Sequence, residues 1–219
     1  MKAKLIFIIL LLSFSFFTQA KENYTVVLVT GFEPFRSYNV NPSQLIAEEL
    51  NGTSIEDAVI IGIILPVDYE KAENKMEDAI EKYAPSIIIS TGLSYYSRKI
   101  CVEKLGVNLK SIYINEKWAG LAIINSSSPF ILFSTVPTKK IVEEMRKEGV
   151  VAKQSFFAGT YTCNYLLYTM LNYVETKNLE IKVGFIHLPP LKEQAKHGME
   201  FNEMLKAIRI AIIVCLETN

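Results

Sequence analysis

From residue 24 onward, short runs of β-branched and other apolar residues alternate with longer amphipathic segments. Apolar runs that end at glycine or proline are typical of buried strands, and apolar positions spaced by three and four residues are typical of helices. The strands predicted on this basis span residues 24–30, 59–67, 86–91, 151–156 and 181–188. The predicted helices span residues 42–51, 69–83, 139–148, 164–171 and 201–217.

Residues suited to helix ends support these boundaries. Asn41 is predicted to cap the first helix, with Gln44 at the position from which a side chain can bond back to the cap. Asp68 and Thr138 are the predicted caps of the second and third helices, and Gly149 is predicted to end the third.

Strands that alternate with helices predict an α/β fold, a single-domain α/β/α sandwich with a largely parallel, twisted mixed sheet. Residues 21–219 are expected to form this domain, since neither a linker nor an internal repeat divides them. The pattern is weak between residues 99 and 134, where the sequence SSSP at 126–129 indicates a loop. Ligands of such sheets bind beyond the carboxyl ends of the strands, so a site is expected there.

The first twenty residues, MKAKLIFIILLLSFSFFTQA, follow a different pattern. Lys2 and Lys4 precede an apolar run, and small residues follow it at the positions that a signal peptidase reads. The segment is interpreted as a cleaved signal peptide, and the protein as secreted or exported. An uncleaved membrane anchor is the alternative, although the run is shorter than the roughly 20 apolar residues that span a bilayer. If both interpretations are wrong, the protein is cytoplasmic.

Charge and composition narrow the functional classes. The 23 basic and 23 acidic side chains cancel, which leaves no electrostatic footprint for nucleic acid or for an anionic membrane surface. Three cysteines are too few for a disulfide scaffold. Two histidines, without a His-Glu-x-x-His or Cys-x-x-Cys motif, offer little from which to build a metal site. We therefore expect neither a metal nor an organic cofactor.

The candidate catalytic residues lie at or near the ends of predicted strands. Cys163 follows a turn of small residues and precedes a helix, whose backbone N–H groups and dipole favour a thiolate. His187 ends a strand and can exchange a proton with that thiol. Glu103 lies in the apolar stretch ICVEKLGVNL, where a carboxylate needs a partner such as a histidine. The three residues would form a triad of the Cys-His-Glu type.

These residues also have ordinary structural interpretations. Cys163 can be a core filler or half of a disulfide, and His187 can be a hydrogen-bonded histidine at a strand end. Cys215 is interpreted as a buried filler of an apolar helix, and His197 as a solvated surface residue. Cys101 is interpreted as reduced and buried; the alternative is a reversible Cys101–Cys163 disulfide that silences an exported enzyme.

Four motif-like stretches occur in order between about Val26 and Leu216: VTGFEPFRSYNVNPSQL, VEKLGVNL, AGTYTCNYLLY and GFIHLPPLKEQ. Together they resemble the four motifs of the pyroglutamyl peptidase I family. The resemblance implies a cysteine exopeptidase that removes an amino-terminal pyroglutamyl residue from peptides through a thioacyl-enzyme. It implies Cys163 as the nucleophile, His187 as the general base and acid, and Glu103 as the residue that orients His187.

The same resemblance implies a substrate pocket and a quaternary state. Phe32 and Phe35 of the opening motif would form the walls of a ring pocket; ordinary core packing is the alternative. Apolar walls suit pyroglutamate, because this lactam is flat and neutral and lacks an ammonium group. The implied partner is a peptide substrate, and a homo-oligomer is implied by family members that form dimers or tetramers.

One loop departs from the family pattern. Residues 92–98 read GLSYYSR, with Tyr95 and Tyr96 where the family has glycines and Ser97 where it has arginine. Bulky rings there can narrow the pocket or remove backbone freedom. The alternative function is therefore a catalytically silent homologue that binds a pyroglutamyl peptide without turnover. A related α/β hydrolase or phosphorylase-like enzyme is a further alternative, for which the chain lacks a glycine-rich phosphate cradle.

Overall fold

A computed structural model of the chain describes residues 24–35 and 39–218. These residues form an α/β/α sandwich in which helices cover both faces of a seven-stranded sheet, so the predicted fold class is confirmed. No helix in this described part of the chain is both long and apolar enough to cross a membrane. The predicted signal peptide at residues 1–20 lies outside the described residues and stays a prediction.

The described residues contain all of the predicted strands and helices, with ends shifted by a few residues, and several further strands. The strands are β1 (Thr25–Phe32), β2 (Ser54–Ile55), β3 (Ala58–Leu65), β4 (Ile87–Leu93), β5 (Ile100–Glu103), β6 (Leu105–Val107), β7 (Lys110–Ile114), β8 (Lys117–Ala122), β9 (Ile131–Phe133), β10 (Ala152–Ser155) and β11 (Lys182–Leu188). The helices are α1 (Pro42–Leu50), α2 (Tyr69–Tyr83), α3 (Thr138–Lys147), α4 (Thr162–Thr176) and α5 (Phe201–Glu217).

The main sheet has the strand order β10-β5-β11-β4-β1-β3-β2. Its centre, β11-β4-β1-β3, is parallel, whereas β5 and β10 are parallel to each other and run opposite to β11. The carboxyl end of β10 therefore does not lie at the same edge as that of β11. This corrects the expectation that Cys163 reaches the site from the end of a parallel strand; residues 156–161 carry the chain from β10 to α4 instead.

Two apolar clusters hold the helices against the sheet. One packs β-strand side chains against α1, α3 and α5, and the other packs them against α2 and α4. Successive residues of β11 alternate between the clusters, with Ile186 in the first and Phe185 in the second. Burial of a side chain such as Phe185 stabilises the fold by about 1.5–3 kcal/mol. By the same alternation, His187 lies on the face that α2 and α4 cover.

The start of α1 is fixed by Asn41, as predicted. Its side chain accepts a hydrogen bond from the Ser43 backbone N–H at 3.1 Å. Gln44 does not bond back to the cap; its amide donates to Glu48 Oε1 at 2.7 Å, one turn further along the helix. The predicted reciprocal cap is therefore wrong, because an i, i+4 partner on the exposed helix face is available to Gln44.

Of the predicted caps of α2 and α3, the first is confirmed and the second is wrong. Asp68 caps α2 and accepts from the Lys71 N–H at 3.0 Å. Thr138 is the first residue of α3 instead of its cap, because its hydroxyl accepts a hydrogen bond from the Gln154 side-chain amide of β10 at 2.8 Å. Gly149 follows the end of α3 with a φ of 81°, a left-handed conformation that suits glycine.

The weakly patterned segment between residues 99 and 134 folds into short strands as well as the predicted loop at 126–129. β5 joins the main sheet, β6 pairs with β9, and β7 pairs with β8. Asn115 and Glu116 join β7 to β8 with φ angles of 47° and 63°, as a two-residue type I′ turn requires. Much of β7 and β8 is exposed, which explains why no clear alternation of apolar and polar residues marks this hairpin.

Candidate active site

Strands β5 and β11 bring Glu103 and His187 together. In their antiparallel register, Cys101 lies opposite His187 and Glu103 lies opposite Phe185. Glu103 and His187 are thus diagonal neighbours on one face of the sheet. His187 Nδ1 is 2.8 Å from Glu103 Oε1, and both side chains are almost fully buried. The contact supplies the partner that a carboxylate in an apolar setting needs.

The His187 imidazole and the Cys163 side chain line the same cavity, close enough to interact electrostatically. Burial by itself lowers the pKa of His187, but the interactions of the imidazole with Cys163 and Glu103 together raise that pKa to about 10. The raised pKa keeps the buried His187 imidazole protonated at neutral pH. An imidazolium in this position can stabilise negative charge that develops on the neighbouring sulfur.

Cys163 is the second residue of α4, and it lies beside the first-turn backbone N–H groups of that helix. Within the described residues, Tyr161 at the cap position makes no side-chain bond to these groups. They are consequently available to an anion or to a developing oxyanion. The positive end of the α4 dipole lies at the same place and favours negative charge there.

Asn164 anchors this end of α4, and the sequence interpretation missed it. Its Nδ2 donates to the carbonyl oxygens of Val107 and Leu109 at 2.9 Å each, while its Oδ1 accepts from the Val107 N–H at 2.9 Å. These bonds tie the helix start to β6. The sequence shows only a polar residue directly after the candidate nucleophile, and its complete burial is seen in the structure.

Gly92 makes room for the sulfur. A Cβ atom at this position would lie 2.9 Å from Cys163 Sγ and 2.9 Å from Phe185 Cζ. Gly92 is also the register partner of His187 across the parallel β4–β11 pair. Glycine is thus required at position 92 by the close approach of the Cys163 side chain.

A cavity of about 170 Å³ adjoins Cys163 and His187. Its apolar walls are formed by Phe32, Phe35, Val67, Leu93 and Ala158. Phe32 and Phe35 therefore line the same space as the candidate nucleophile, although Phe32 also packs into the core against the α2 and α4 side. Core packing and pocket formation are both roles of this ring.

The start of α1 holds the opening motif in place. The Phe32 N–H donates to Ser43 Oγ at 3.0 Å, and Asn41 Nδ2 donates to the Glu33 carbonyl at 3.2 Å. A Cβ atom at Gly31 would lie 1.9 Å from the Ser43 carbonyl oxygen, so glycine is needed for this approach. Glu33 itself is exposed and its carboxylate accepts from the Val67 N–H at 3.3 Å.

Tyr95 and Tyr96 do not line the cavity; Leu93 does. The Tyr96 side chain is 89% exposed. The Tyr95 carbonyl accepts a hydrogen bond from His197 Nε2 at 2.8 Å, so His197 is held by the loop and is not the freely solvated residue that the sequence suggested. Within the described residues, the Tyr95 and Tyr96 side chains therefore do not narrow this cavity.

Cys101 and Cys215 are free thiols, as is Cys163. The Cys101 sulfur has local partners: it lies 3.4 Å from Ser97 Oγ and donates to the Lys99 carbonyl at 3.5 Å. Cys215 is fully buried in α5, and burial raises its pKa to about 12. Among the described residues, no group of three or more His, Cys, Asp or Glu side chains is placed to hold a metal ion.

The chain is similar to known proteins over most of its length. A family model for pyroglutamyl peptidase matches residues 25–218. The pyrrolidone-carboxylate peptidase of Pyrococcus furiosus is 37% identical over 204 residues, which cover 87% of this chain and 98% of the relative. The corresponding enzyme of Bacillus subtilis is 30% identical over 198 residues, covering 87% of this chain and 92% of the relative.

Solved structures of the same kind resemble the fold over most of its length. The pyrrolidone carboxyl peptidase of Thermococcus litoralis superimposes with a TM-score of 0.84 at 30% identity, covering 88% of this chain and 94% of the other. Pyroglutamyl peptidase I of Bacillus amyloliquefaciens gives a TM-score of 0.82 at 31% identity, with 87% and 96% coverage. The fold and the matched sequence define a cysteine-type peptidase. The chain belongs to the pyroglutamyl peptidase family.

Proposed function

We propose that this protein hydrolyses the amide bond that follows an amino-terminal pyroglutamyl residue of a peptide, with Cys163, His187 and Glu103 as its catalytic triad. The observation that carries the proposal is that Cys163 and His187 line one apolar cavity while Glu103 is hydrogen-bonded to His187. The names of the relatives support the choice of substrate, because they are pyrrolidone-carboxylate peptidases.

The cavity suits the pyroglutamyl ring in size and polarity. Its volume of about 170 Å³ is below the range of about 300–1,000 Å³ for pockets that hold drug-sized ligands. Phe32 and Phe35 are proposed to contact the faces of the flat lactam. A free amino terminus would need a carboxylate there, since burial of an unpaired ammonium group is costly. The apolar walls therefore favour a blocked, neutral ring.

In the proposed acylation step, the Cys163 thiolate attacks the pyroglutamyl carbonyl carbon and a C–S bond forms. Negative charge moves to the carbonyl oxygen, where N–H groups of the first turn of α4 stabilise it. The tetrahedral intermediate then collapses. The C–N bond breaks, His187 gives its proton to the leaving amine, and a thioester on Cys163 remains.

Deacylation uses the same groups in the opposite protonation state. Neutral His187 accepts a proton from water while the water oxygen attacks the thioester carbon. The C–S bond breaks, pyroglutamate leaves, and the thiolate and imidazolium are restored. Glu103 keeps the Nδ1 side of His187 protonated and stabilises the imidazolium. Glu103 is thus a positioning residue, because it acts through His187.

Export and self-association are proposals of the same standing. Residues 1–20 support export by their charged start and apolar run. Self-association is supported by exposed rings near the paired strands β6 and β9, where Phe130 and Phe133 are 53% and 60% exposed. Light scattering after size-exclusion chromatography measures the oligomeric state, and amino-terminal sequencing of the exported protein locates the cleavage.

Release of a fluorogenic amine from a pyroglutamyl conjugate tests the proposed function. The purified protein is expected to cleave this conjugate and to leave prolyl, alanyl and glutamyl conjugates of the same amine intact. The matched Cys163→Ala protein should release nothing. Equal rates with the prolyl and pyroglutamyl conjugates, or no cleavage of any conjugate, would contradict the proposal.

A further inference from the structure

A groove of about 1,030 Å³ adjoins the catalytic cavity between α2 and the β7–β8 hairpin. Val67, Tyr161 and Thr162 line both spaces. Tyr161 and Thr162 immediately precede Cys163 in the chain, so the two spaces meet beside the sulfur. The groove has room for more than one amino-acid residue, since its volume matches that of pockets for drug-sized ligands.

The chemistry of the proposed substrate determines the direction in which the rest of the bound peptide extends out of the cavity. Pyroglutamate closes its side chain onto its own nitrogen, and no residue precedes it. The remainder of a peptide therefore extends from the carbonyl that Cys163 attacks. We propose that the groove binds the one or two residues after pyroglutamate and favours an aromatic side chain there. The inference rests on the proposed function and adds to it a substrate preference.

Aromatic rings form the walls of the groove. Tyr161 lies edge-on to Tyr69, with ring centroids 5.7 Å apart, and edge-on to Tyr113, with centroids 5.6 Å apart; both interplanar angles are 73°. Tyr113 is 39% exposed, so an incoming ring can extend this cluster. Edge-to-face ring pairs contribute beyond the area that they bury. An aromatic side chain therefore gains more here than alanine does.

The charges in the groove do not select a charged side chain. Lys110 lies on one wall, and Asp68 and Glu116 lie on others. The Lys110 ammonium is already placed over the rings of Tyr69 and Tyr165, 5.6 Å and 5.3 Å from their centroids. With both signs present and the lysine engaged by rings, aromatic contact is the stronger source of discrimination.

Hydrogen bonds hold the groove in shape before a peptide arrives. Tyr69 Oη donates to the Ser111 carbonyl at 2.9 Å. The hydroxyls of Ser111 and Thr160 are 2.8 Å apart, and the Ser111 N–H donates to the Thr160 carbonyl at 2.6 Å. These bonds tie α2, the hairpin and the segment before α4 together. A fixed groove costs less conformational entropy on binding than a mobile one.

Thr162 lies between the cavity and the groove, where a bound peptide would pass from one to the other. Its residue is 2% exposed, and its hydroxyl has no hydrogen-bond partner among the described residues. A buried hydroxyl without a partner is unfavourable. The Thr162 hydroxyl is shielded from solvent, so a peptide that passes here contacts the surface around Thr162 and not the hydroxyl itself.

The test compares three peptide amides: pyroglutamyl-Phe-Ala, pyroglutamyl-Ala-Phe and pyroglutamyl-Ala-Ala. The wild-type kcat/KM should be about tenfold higher for the better aromatic peptide than for the dialanine peptide. Tyr113→Ala should abolish this ratio, whereas Tyr113→Phe should keep it because the ring remains. Ile114→Ala is the matched control; this neighbouring β7 residue is 62% exposed, does not line the groove, and should leave the ratio intact.

Different results separate this inference from the proposed function. Equal kcat/KM for the three peptides, or a ratio that survives Tyr113→Ala, overturns the groove proposal while the peptidase function stands. If the wild type cleaves none of them, the proposed function fails, and calorimetric binding of the same peptides to Cys163→Ala decides the groove. About tenfold tighter binding of an aromatic peptide would support it, and equal binding would overturn it.

Discussion

His187 and Glu103 are diagonal neighbours on adjacent antiparallel strands, with Nδ1 and Oε1 2.8 Å apart. This pairing depends on the register of β5, a strand of four residues. A slip of one residue would turn Glu103 to the opposite face of the sheet, away from the imidazole. The short strand β5, which runs antiparallel to β11, is therefore the element that completes the proposed triad.

Replacing members of the His187–Glu103 pair should reduce activity unequally. His187→Ala removes the group that transfers the proton, so we expect kcat/KM to fall by about ten thousandfold. Glu103→Gln keeps a polar side chain but removes its charge, and a fall of about a hundredfold is expected. The assay is release of the fluorogenic amine, with His197→Ala as the control of unchanged rate. Wild-type activity in Glu103→Gln would exclude Glu103 from the mechanism.

Cys163 should be the reactive cysteine of the native protein. Cys163→Ala and Cys163→Ser are expected to reduce turnover by about a thousandfold or more. Cys215→Ser should have little effect on the rate, because Cys215 is buried in α5 with a raised pKa. Mass spectrometry after brief iodoacetamide treatment should find label on Cys163 first. Preferential labelling of Cys101 or Cys215 would contradict the assignment of Cys163 as the reactive cysteine.

Gly92→Ala should impair catalysis by crowding the sulfur. The added Cβ would lie 2.9 Å from Cys163 Sγ, and we expect kcat/KM to fall at least about tenfold and stability by about 1–3 kcal/mol. Gly184→Ala is the matched control, since its Cβ would lie 2.5 Å from Val136 Cγ2 on the other face of the sheet. Urea unfolding should show destabilisation of both, with activity lost in Gly92→Ala alone. Equal loss of activity in both would point to general destabilisation.

The protonation of His187 should depend on Cys163. Because the pKa of His187 is raised to about 10, its imidazolium form persists above the usual value near 6.5. Activity that needs this acid should decline as the pH rises through about 10. In Cys163→Ala the anionic partner is lost while burial remains, so the pKa of His187 should fall. An NMR titration follows this directly, since the chain has two histidines; the same pKa in Cys163→Ala would contradict the ion pair.

The sequence pattern was sufficient to predict features that depend on residues close together in the chain. Asp68 sits before an amphipathic helix and caps it, and the apolar runs around Val29 and Ile186 form buried strands. Cys163 and His187 were detectable because each stands at the boundary of such an element. Thr138 shows the limit: its hydroxyl accepts from Gln154, a partner sixteen residues away that no local rule includes.

Features that depend on pairing between distant parts of the chain were harder to predict from the sequence. The direction of β10 and β5 follows from their pairing with β11, and a parallel sheet was the default from the alternation of elements. The spatial contact of Glu103 with His187 spans 84 residues. Asn164 resembled an ordinary helix residue until its bonds to β6 were seen. Tyr95 and Tyr96 looked obstructive in sequence, yet Tyr96 is exposed and neither ring lines the cavity.

The most direct measurement of the central claim is identification of the acyl-enzyme. The protein is mixed with an activated pyroglutamyl ester, quenched in acid within the first turnover and digested for peptide mass spectrometry. The account predicts one added pyroglutamyl group on the peptide that contains Cys163, and none in Cys163→Ala. Hydrolysis of the ester with the group on another residue, or with equal speed in Cys163→Ala, would contradict the account.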